Sequence, residues 1–251
     1  MRAHLPDPVT RRPAGLALAR LAAPAIAATF AACVAAPGPR AAPAATAAPP
    51  AGSLFSTIPC GISPIAREWG KLRAEAAARY PHLRLTMVED LHVTVVYVGP
   101  GWKAEDLDRI RALALVAPRE AATFRPEVVR LGRNAQAVAV ELHGAPESWS
   151  AAVGAAKAEM NRLGLRKPDA YDGTFRPHVT LASARNNPPD AAEAAALDEL
   201  RVWIAEVAAA EPERWTLAIG PRTPLRLWLA GTVRPVGAPE FVDVEETSAY
   251  R

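Results

Sequence analysis

The chain has 251 residues, half of them hydrophobic and 22% charged, with 25 prolines, 15 glycines and 2 cysteines. That composition excludes a disordered or fibrous protein, and the cysteine count excludes a disulfide-dense scaffold or a cysteine-rich metal module. The net charge of +3 sits in the leader: residues 1–53 carry Arg2, Arg11, Arg12, Arg20 and Arg40 against Asp7, leaving 24 basic and 25 acidic side chains in residues 54–251. A protein capturing long nucleic acid by phosphate neutralisation would carry its positive charge on the folded part, so no extended nucleic-acid surface is expected.

Residues 1–33 read as an address. Arg2, Arg11 and Arg12 form a positive stretch ahead of the uncharged, Ala-rich run Leu21 to Ala32. Arg20 and Pro24 leave that run too short for a permanent membrane span. It closes on Thr29-Phe30-Ala31-Ala32-Cys33, which resembles a bacterial lipoprotein signal and makes Cys33 the expected lipidation site. The protein is then exported, as a periplasmic or cell-envelope lipoprotein touching the membrane only through that lipid; a secreted protein is the alternative. Residues 34–53 are an Ala/Pro-rich linker with no capacity to bury a core. Lipidation would leave Cys60 without an intrachain partner, whereas an unlipidated Cys33 could form a disulfide with it.

From Leu54 the periodicities place elements in order. Leu54–Ile58 is a short strand. Ile65, Trp69, Leu72 and Ala76 form the apolar stripe of a helix. Leu91–Val98 is a β-branched strand, and Leu107, Ile110 and Leu113 or Ala114 mark a helix stopped near Pro118. Strands follow at Pro126–Leu131 and Ala137–Leu142, around the turn Gly132-Arg133-Asn134. Trp149, Val153, Ala156, Met160 and Leu163 then line a third helix ended by Gly164, and His178–Ser183 is again a strand. Asp190 and Glu193 form a capping box for a helix faced by Leu197, Leu200, Ile204 and Val207. Strands at Trp215–Ile219 and Leu225–Val233 close the domain, which spans 54–235; residues 236–251 read as a surface tail.

The order helix, strand, helix, strand, strand occurs twice. The first helices of each set start 82 residues apart and the strands at His92 and His178 lie 86 apart. An internal duplication of this kind implies two lobes about a pseudo-two-fold axis, with a site in the cleft between them.

Both strands carry the same signature, His92-Val93-Thr94 and His178-Val179-Thr180. Strand side chains alternate, so each lobe presents an imidazole beside a hydroxyl while the valines face the core. Two imidazoles suit general acid–base chemistry near neutral pH, and two hydroxyls can bond the non-bridging oxygens of a phosphodiester. Two His and two Thr are not a zinc or magnesium ligand set, so neither metal nor cofactor is expected.

These residues resemble the hallmark of the two-histidine (2H) phosphoesterases, in particular the branch of 2′-5′ RNA ligases and RNA 2′,3′-cyclic phosphodiesterases. The stretches Leu91-His92-Val93-Thr94-Val95-Val96-Tyr97-Val98-Gly99 and Phe175-Arg176-Pro177-His178-Val179-Thr180-Leu181-Ala182 carry it. The resemblance implies an α+β, bilobed duplicated fold: two antiparallel-rich sheets flanked by helices around a central cleft. It implies His92 and His178 as acid and base, Thr94 and Thr180 as phosphate holders, and a nucleotide or RNA end as substrate. The implied reaction opens a 2′,3′-cyclic phosphate to a 2′-phosphomonoester, with reverse RNA joining in some members.

Phe175, Arg176 and Arg185 flank the second motif as candidate substrate contacts, and Trp102 and Tyr171 are candidates for stacking a base. Tyr97 shares the strand parity of Val93 and Val95, so core packing is expected of it. His82 and His143 are expected at the surface. Two alternatives stand beside the enzyme: a non-catalytic nucleotide- or phosphate-binding lipoprotein, and the same fold acting on a non-RNA phosphodiester. Nothing in the sequence demands more than a monomer.

Overall fold

The computed structural model describes residues 52–132, 135–230 and 242–243. The export signal, Cys33, the linker and nearly all of the C-terminal tail lie outside the described residues.

The strands are β1 (Ser53–Pro59), β2 (Arg84–Leu85), β3 (His92–Gly99), β4 (Ala122–Leu131), β5 (Ala137–His143), β6 (His178–Ser183), β7 (Leu217–Ile219), β8 (Arg226–Ala230) and β9 (Val242–Asp243). The helices are α1 (Pro64–Arg79), α2 (Leu107–Ala114), α3 (Glu147–Arg162) and α4 (Ala191–Ala210). The periodicity-based expectations therefore fall on real elements, with shifted ends. Residues 212–215 form a 3-10 turn, so the strand expected from Trp215 begins at Leu217. β4 starts four residues before Pro126, and the proline is tolerated because the ladder to β5 bulges between Pro126 and Val128.

Helix ends follow their chemistry. Ser63 caps α1 by accepting from the Ala66 N–H, with Pro64 at the first helical position. Asp190 and Glu193 complete the capping box of α4 as its sequence requires. α3 ends at Gly164, whose φ of 69° is left-handed backbone that glycine adopts without a Cβ clash.

Among the described residues all strands join one nine-stranded antiparallel sheet in the order β7-β4-β5-β6-β3-β1-β8-β9, with β2 on β6. The two expected sheets are thus continuous, meeting edge to edge at β3 and β6 through the pair Val93–Val179. Around that pair the order is symmetric, β6 answering β3, β5 answering β1 and β4 answering β8. The halves of the sheet are not the halves of the sequence. One takes β4 and β5 from the first repeat and β6 and β7 from the second, while the other combines β1 and β3 with β8 and β9.

α4 packs against β4 and β5, α2 against α3, and α3 against β3. The core between them is large and aromatic. Trp69, Trp149, Trp215 and Phe124 are fully buried together with Leu54, Ile65, Ile110, Met160, Leu181 and Leu197. Trp149 stacks on Phe124 and meets Phe175 edge-on, and its Nε1–H donates to the Val116 carbonyl at 2.7 Å. Cys60 belongs to this core; burial pushes its thiol up to about 12, so it stays protonated. Among the described residues no helix is long and apolar enough to cross a membrane.

Candidate functional site

His92 opens β3 and His178 opens β6, and Thr94 and Thr180 follow each on the same face of its strand. The valines between them are fully buried, while the four polar residues are partly exposed. In the antiparallel register fixed by Val93 and Val179, His92 falls opposite Thr180 and Thr94 opposite His178. The sheet itself therefore gathers both motifs at its central seam.

The imidazoles are held alike. Nδ1–H of His92 donates to the Asp90 carbonyl at 2.7 Å, and Nδ1–H of His178 donates to the Arg176 carbonyl at 3.0 Å. Each acceptor lies two residues earlier in its own approach to the strand. A bond in which Nδ1–H donates fixes the tautomer, with the ring's lone pair on Nε2.

The surroundings differ. The His92 ring lies between Phe55 of β1, at 5.4 Å between centroids, and Trp228 of β8, at 5.0 Å. Burial there, with a smaller effect from the nearby His178, lowers its pKa to about 4, against the opposing Asp90 carbonyl bond. His178 is also held below the ordinary value by burial. Arg130 pushes it further down, while Glu141, its ladder partner on β5, pulls it up. Arg130 Nε and Glu141 Oε2 form an ion pair at 2.6 Å beside the ring.

A cavity of about 450 Å³ opens over the seam, with Thr94, His178 and Thr180 in its wall. His92 stands next to Thr94 along β3 but outside this wall, in its aromatic niche. Phe175, Arg176 and Tyr171 line the cavity, as the sequence suggests. Arg185 does not. Its backbone N–H donates to Glu193 and its guanidinium to the Pro81 carbonyl, which draws it away. Trp102 is buried in the core, so it is no stacking surface.

Tyr97 is the reverse case. It is 44% exposed and lines the cavity. The ladder between β1 and β3 skips Val95, so that Ser56 faces Val96 and Thr57 faces Thr94. This bulge inverts the alternation: Val95 and Val96 are both buried, and Tyr97 turns outward. His82 and His143 are exposed, as expected.

One wall of the cavity, the loop between α3 and β6, is fixed by Arg166, whose side chain is 1% exposed. Its Nε–H donates to the Tyr97 carbonyl at 2.9 Å, and its remaining nitrogens bond Asn161, Asp169 and Asp172. Sequence reading passed over this residue, and also Arg130, Glu141, Phe55, Trp228 and Lys157. Lys157 did leave a signal, a charge in the stripe Trp149, Val153, Met160. Among the described residues no three potential metal ligands cluster.

No protein-family model matches this sequence, and no curated protein matches it. Solved structures do match. Escherichia coli LigT complexed with 3′-AMP aligns at a TM-score of 0.50 and 17% identity, over 77% of this chain and 95% of that one. A phosphoesterase aligns at 0.49 and 16%, over 77% and 95%. A protein of Thermus thermophilus aligns at 0.49 and 15%, over 76% and 94%. The likeness to LigT is one of fold: this chain has that α+β architecture, and its two His-x-Thr strands form the central seam.

Proposed function

We propose that the seam opens 2′,3′-cyclic phosphates of nucleotides or RNA ends by acid–base catalysis between two histidines. The observation that carries this reading is the matched pair of Nδ1 bonds, which hold both imidazoles in the same tautomer beside two hydroxyls. His92, wedged between aromatic rings and neutral at ordinary pH, is suited to be the base. His178, facing Glu141, is better placed to carry the proton and act as the acid.

In the step, water attacks phosphorus and gives its proton to Nε2 of His92. The P–O3′ bond breaks, and Nε2–H of His178 protonates the leaving O3′. The product is the 2′-phosphomonoester. Thr94 and Thr180 donate their hydroxyls to the non-bridging oxygens as negative charge gathers there. An RNA 5′-hydroxyl in place of water would form a 2′–5′ linkage by the same transfers. Solvent exchange then returns the imidazoles to their starting protonation. No step calls on a metal ion. If the leader exports the chain, its substrates are the cyclic ends left by RNA breakdown outside the cytoplasm.

The purified full chain is incubated with the four nucleoside 2′,3′-cyclic phosphates in excess EDTA. Turnover that disappears in both His92→Ala and His178→Ala is the expected result. No turnover from folded protein would overturn the reading and favour a binding module.

A further inference from the structure

Lys157 is the one lysine in the cavity wall, and its position is unusual for an ammonium. It interrupts the buried stripe of α3 and is itself 7% exposed. Lysines are rarely buried without a partner, because the ammonium must be compensated. Here the Nζ has one bond among the described residues, a donation to the Tyr171 carbonyl at 3.2 Å. The nearby carboxylates of Asp169 and Asp172 are already bound by Arg166, at 2.8 and 2.6 Å. Burial lowers the pKa of Lys157, the mark of an ammonium short of compensation.

The place is also specific. Lys157, Thr174 and Phe175 line both the cavity over the seam and an adjoining one of about 310 Å³, so the lysine stands where the two meet. Among the described residues the other charges in the first cavity's wall are Arg130, Arg176 and Asp169. Arg130 is taken up by Glu141. The wall thus keeps a positive surplus apart from the threonines that would hold the reacting phosphate. A cavity of about 450 Å³ is large enough for a whole nucleotide.

We propose that Lys157 binds a second phosphate of the substrate, the one on the 5′ oxygen of the ribose whose cyclic phosphate is opened. This rests on the cyclic-phosphate reading above and narrows it. The preferred substrate is a 5′-phosphorylated nucleoside 2′,3′-cyclic phosphate or the corresponding end of an RNA fragment, in place of the bare cyclic nucleoside. The second phosphate supplies the charge-assisted hydrogen bonds that the buried ammonium lacks.

Three substrates test it: adenosine 2′,3′-cyclic phosphate, its 5′-phosphorylated form, and a dinucleotide ending in the same cyclic phosphate. The intact protein is expected to prefer a 5′-substituted substrate about tenfold in kcat/KM, chiefly through KM, as one charged hydrogen bond would give. Lys157→Met brings the ratio close to one, and Lys157→Arg keeps part of it. A role confined to holding the Tyr171 loop would lower all three substrates together. Which substituted substrate gains more tells a free phosphate from a chain phosphodiester. Equal kcat/KM for all three in the unaltered protein would overturn the proposal, as would a preference that survives Lys157→Met. Calorimetric binding of adenosine 3′,5′-bisphosphate against 3′-AMP decides the matter even if no cyclic phosphate is turned over. About tenfold tighter binding of the bisphosphate, lost in Lys157→Met, supports the second site, and equal binding sinks it.

Discussion

Val93 of β3 pairs with Val179 of β6, and this one pair sets which side chains meet across the seam. Each histidine falls opposite the threonine of the other motif. A phosphate lying over the seam would meet Thr94, His178 and Thr180 in the cavity wall, with His92 next to Thr94 along β3. The arrangement comes from backbone pairing, and the Nδ1 bonds then orient each ring.

Removing either imidazole should abolish most of the activity while leaving the sheet intact. His92→Ala and His178→Ala are expected to lose about 10²- to 10⁴-fold in kcat, the range that positioned acid–base groups supply. Far-UV circular dichroism should match that of the unaltered protein. Loss in only one variant would break the two-histidine mechanism.

The threonines should report on transition-state charge. Thr94→Val and Thr180→Val preserve shape and β propensity, and each is expected to lower kcat by about a hundredfold, as removal of an oxyanion donor does. KM should move much less. A change confined to KM would assign the hydroxyls to ground-state binding instead.

The histidine environments fix the direction of the pH response. The base must be neutral, so activity falls as pH drops through about 4, where His92 titrates. The acid must be protonated, so activity falls as pH rises through the depressed pKa of His178. The optimum of kcat/KM is therefore expected below pH 6.5, and an optimum above 7 would contradict the assignment. Stability follows the same logic. His92 has a pKa of 6.5 unfolded and about 4 folded, so protonation favours the unfolded chain. Up to about 3 kcal/mol is present above pH 6.5 and lost as pH falls toward 4, and His92→Phe should flatten that loss in urea titrations.

Arg166→Met would leave the partly exposed Asp169 and Asp172 without their shared cation and the Tyr97 carbonyl without its donor. A cost of about 1–3 kcal/mol is expected, because the carboxylates keep access to water while charged hydrogen bonds to them and to the Tyr97 carbonyl are lost. Arg166→Lys should recover only part of it, since one ammonium cannot reach the Tyr97 carbonyl and three side chains together. Denaturant midpoints measure both.

Cys33 carries the proposal about location. Cys33→Ser is expected to move the mature protein from the membrane fraction to the soluble one, read by fractionation of expressing cells. Equal distribution of the two forms would remove the lipid anchor from the account.

Local pattern made much of this legible. Alternation placed His92 and Thr94 on one face, and likewise His178 and Thr180, while the Asp190–Glu193 pair announced α4 before any contact was known. Features set by distant partners were not legible. The bulge at Val95 arises from how β1 lies against β3, and it turned Tyr97 from core to cavity. Arg185 is close in sequence to the second motif, yet Pro81 and Glu193 hold it elsewhere. The two-residue strands β2 and β9 are too short to show a period. Nor can periodicity reveal which strands pair, so the mixing of the two repeats within each half of the sheet was invisible.

That mixing bears on how the molecule moves. A site between two independent lobes can gape on a hinge, whereas here the two sides belong to one sheet, joined by the pairing of β3 with β6. Strands from both halves of the sequence are stitched into each side, so a chain cut between β5 and α3 would yield fragments that both lack strand partners. The spacing of the two His-x-Thr motifs is thus set by the sheet as it folds. The loop between α3 and β6, held by Arg166, adds a wall that lies outside the sheet and is tied down by side-chain bonds.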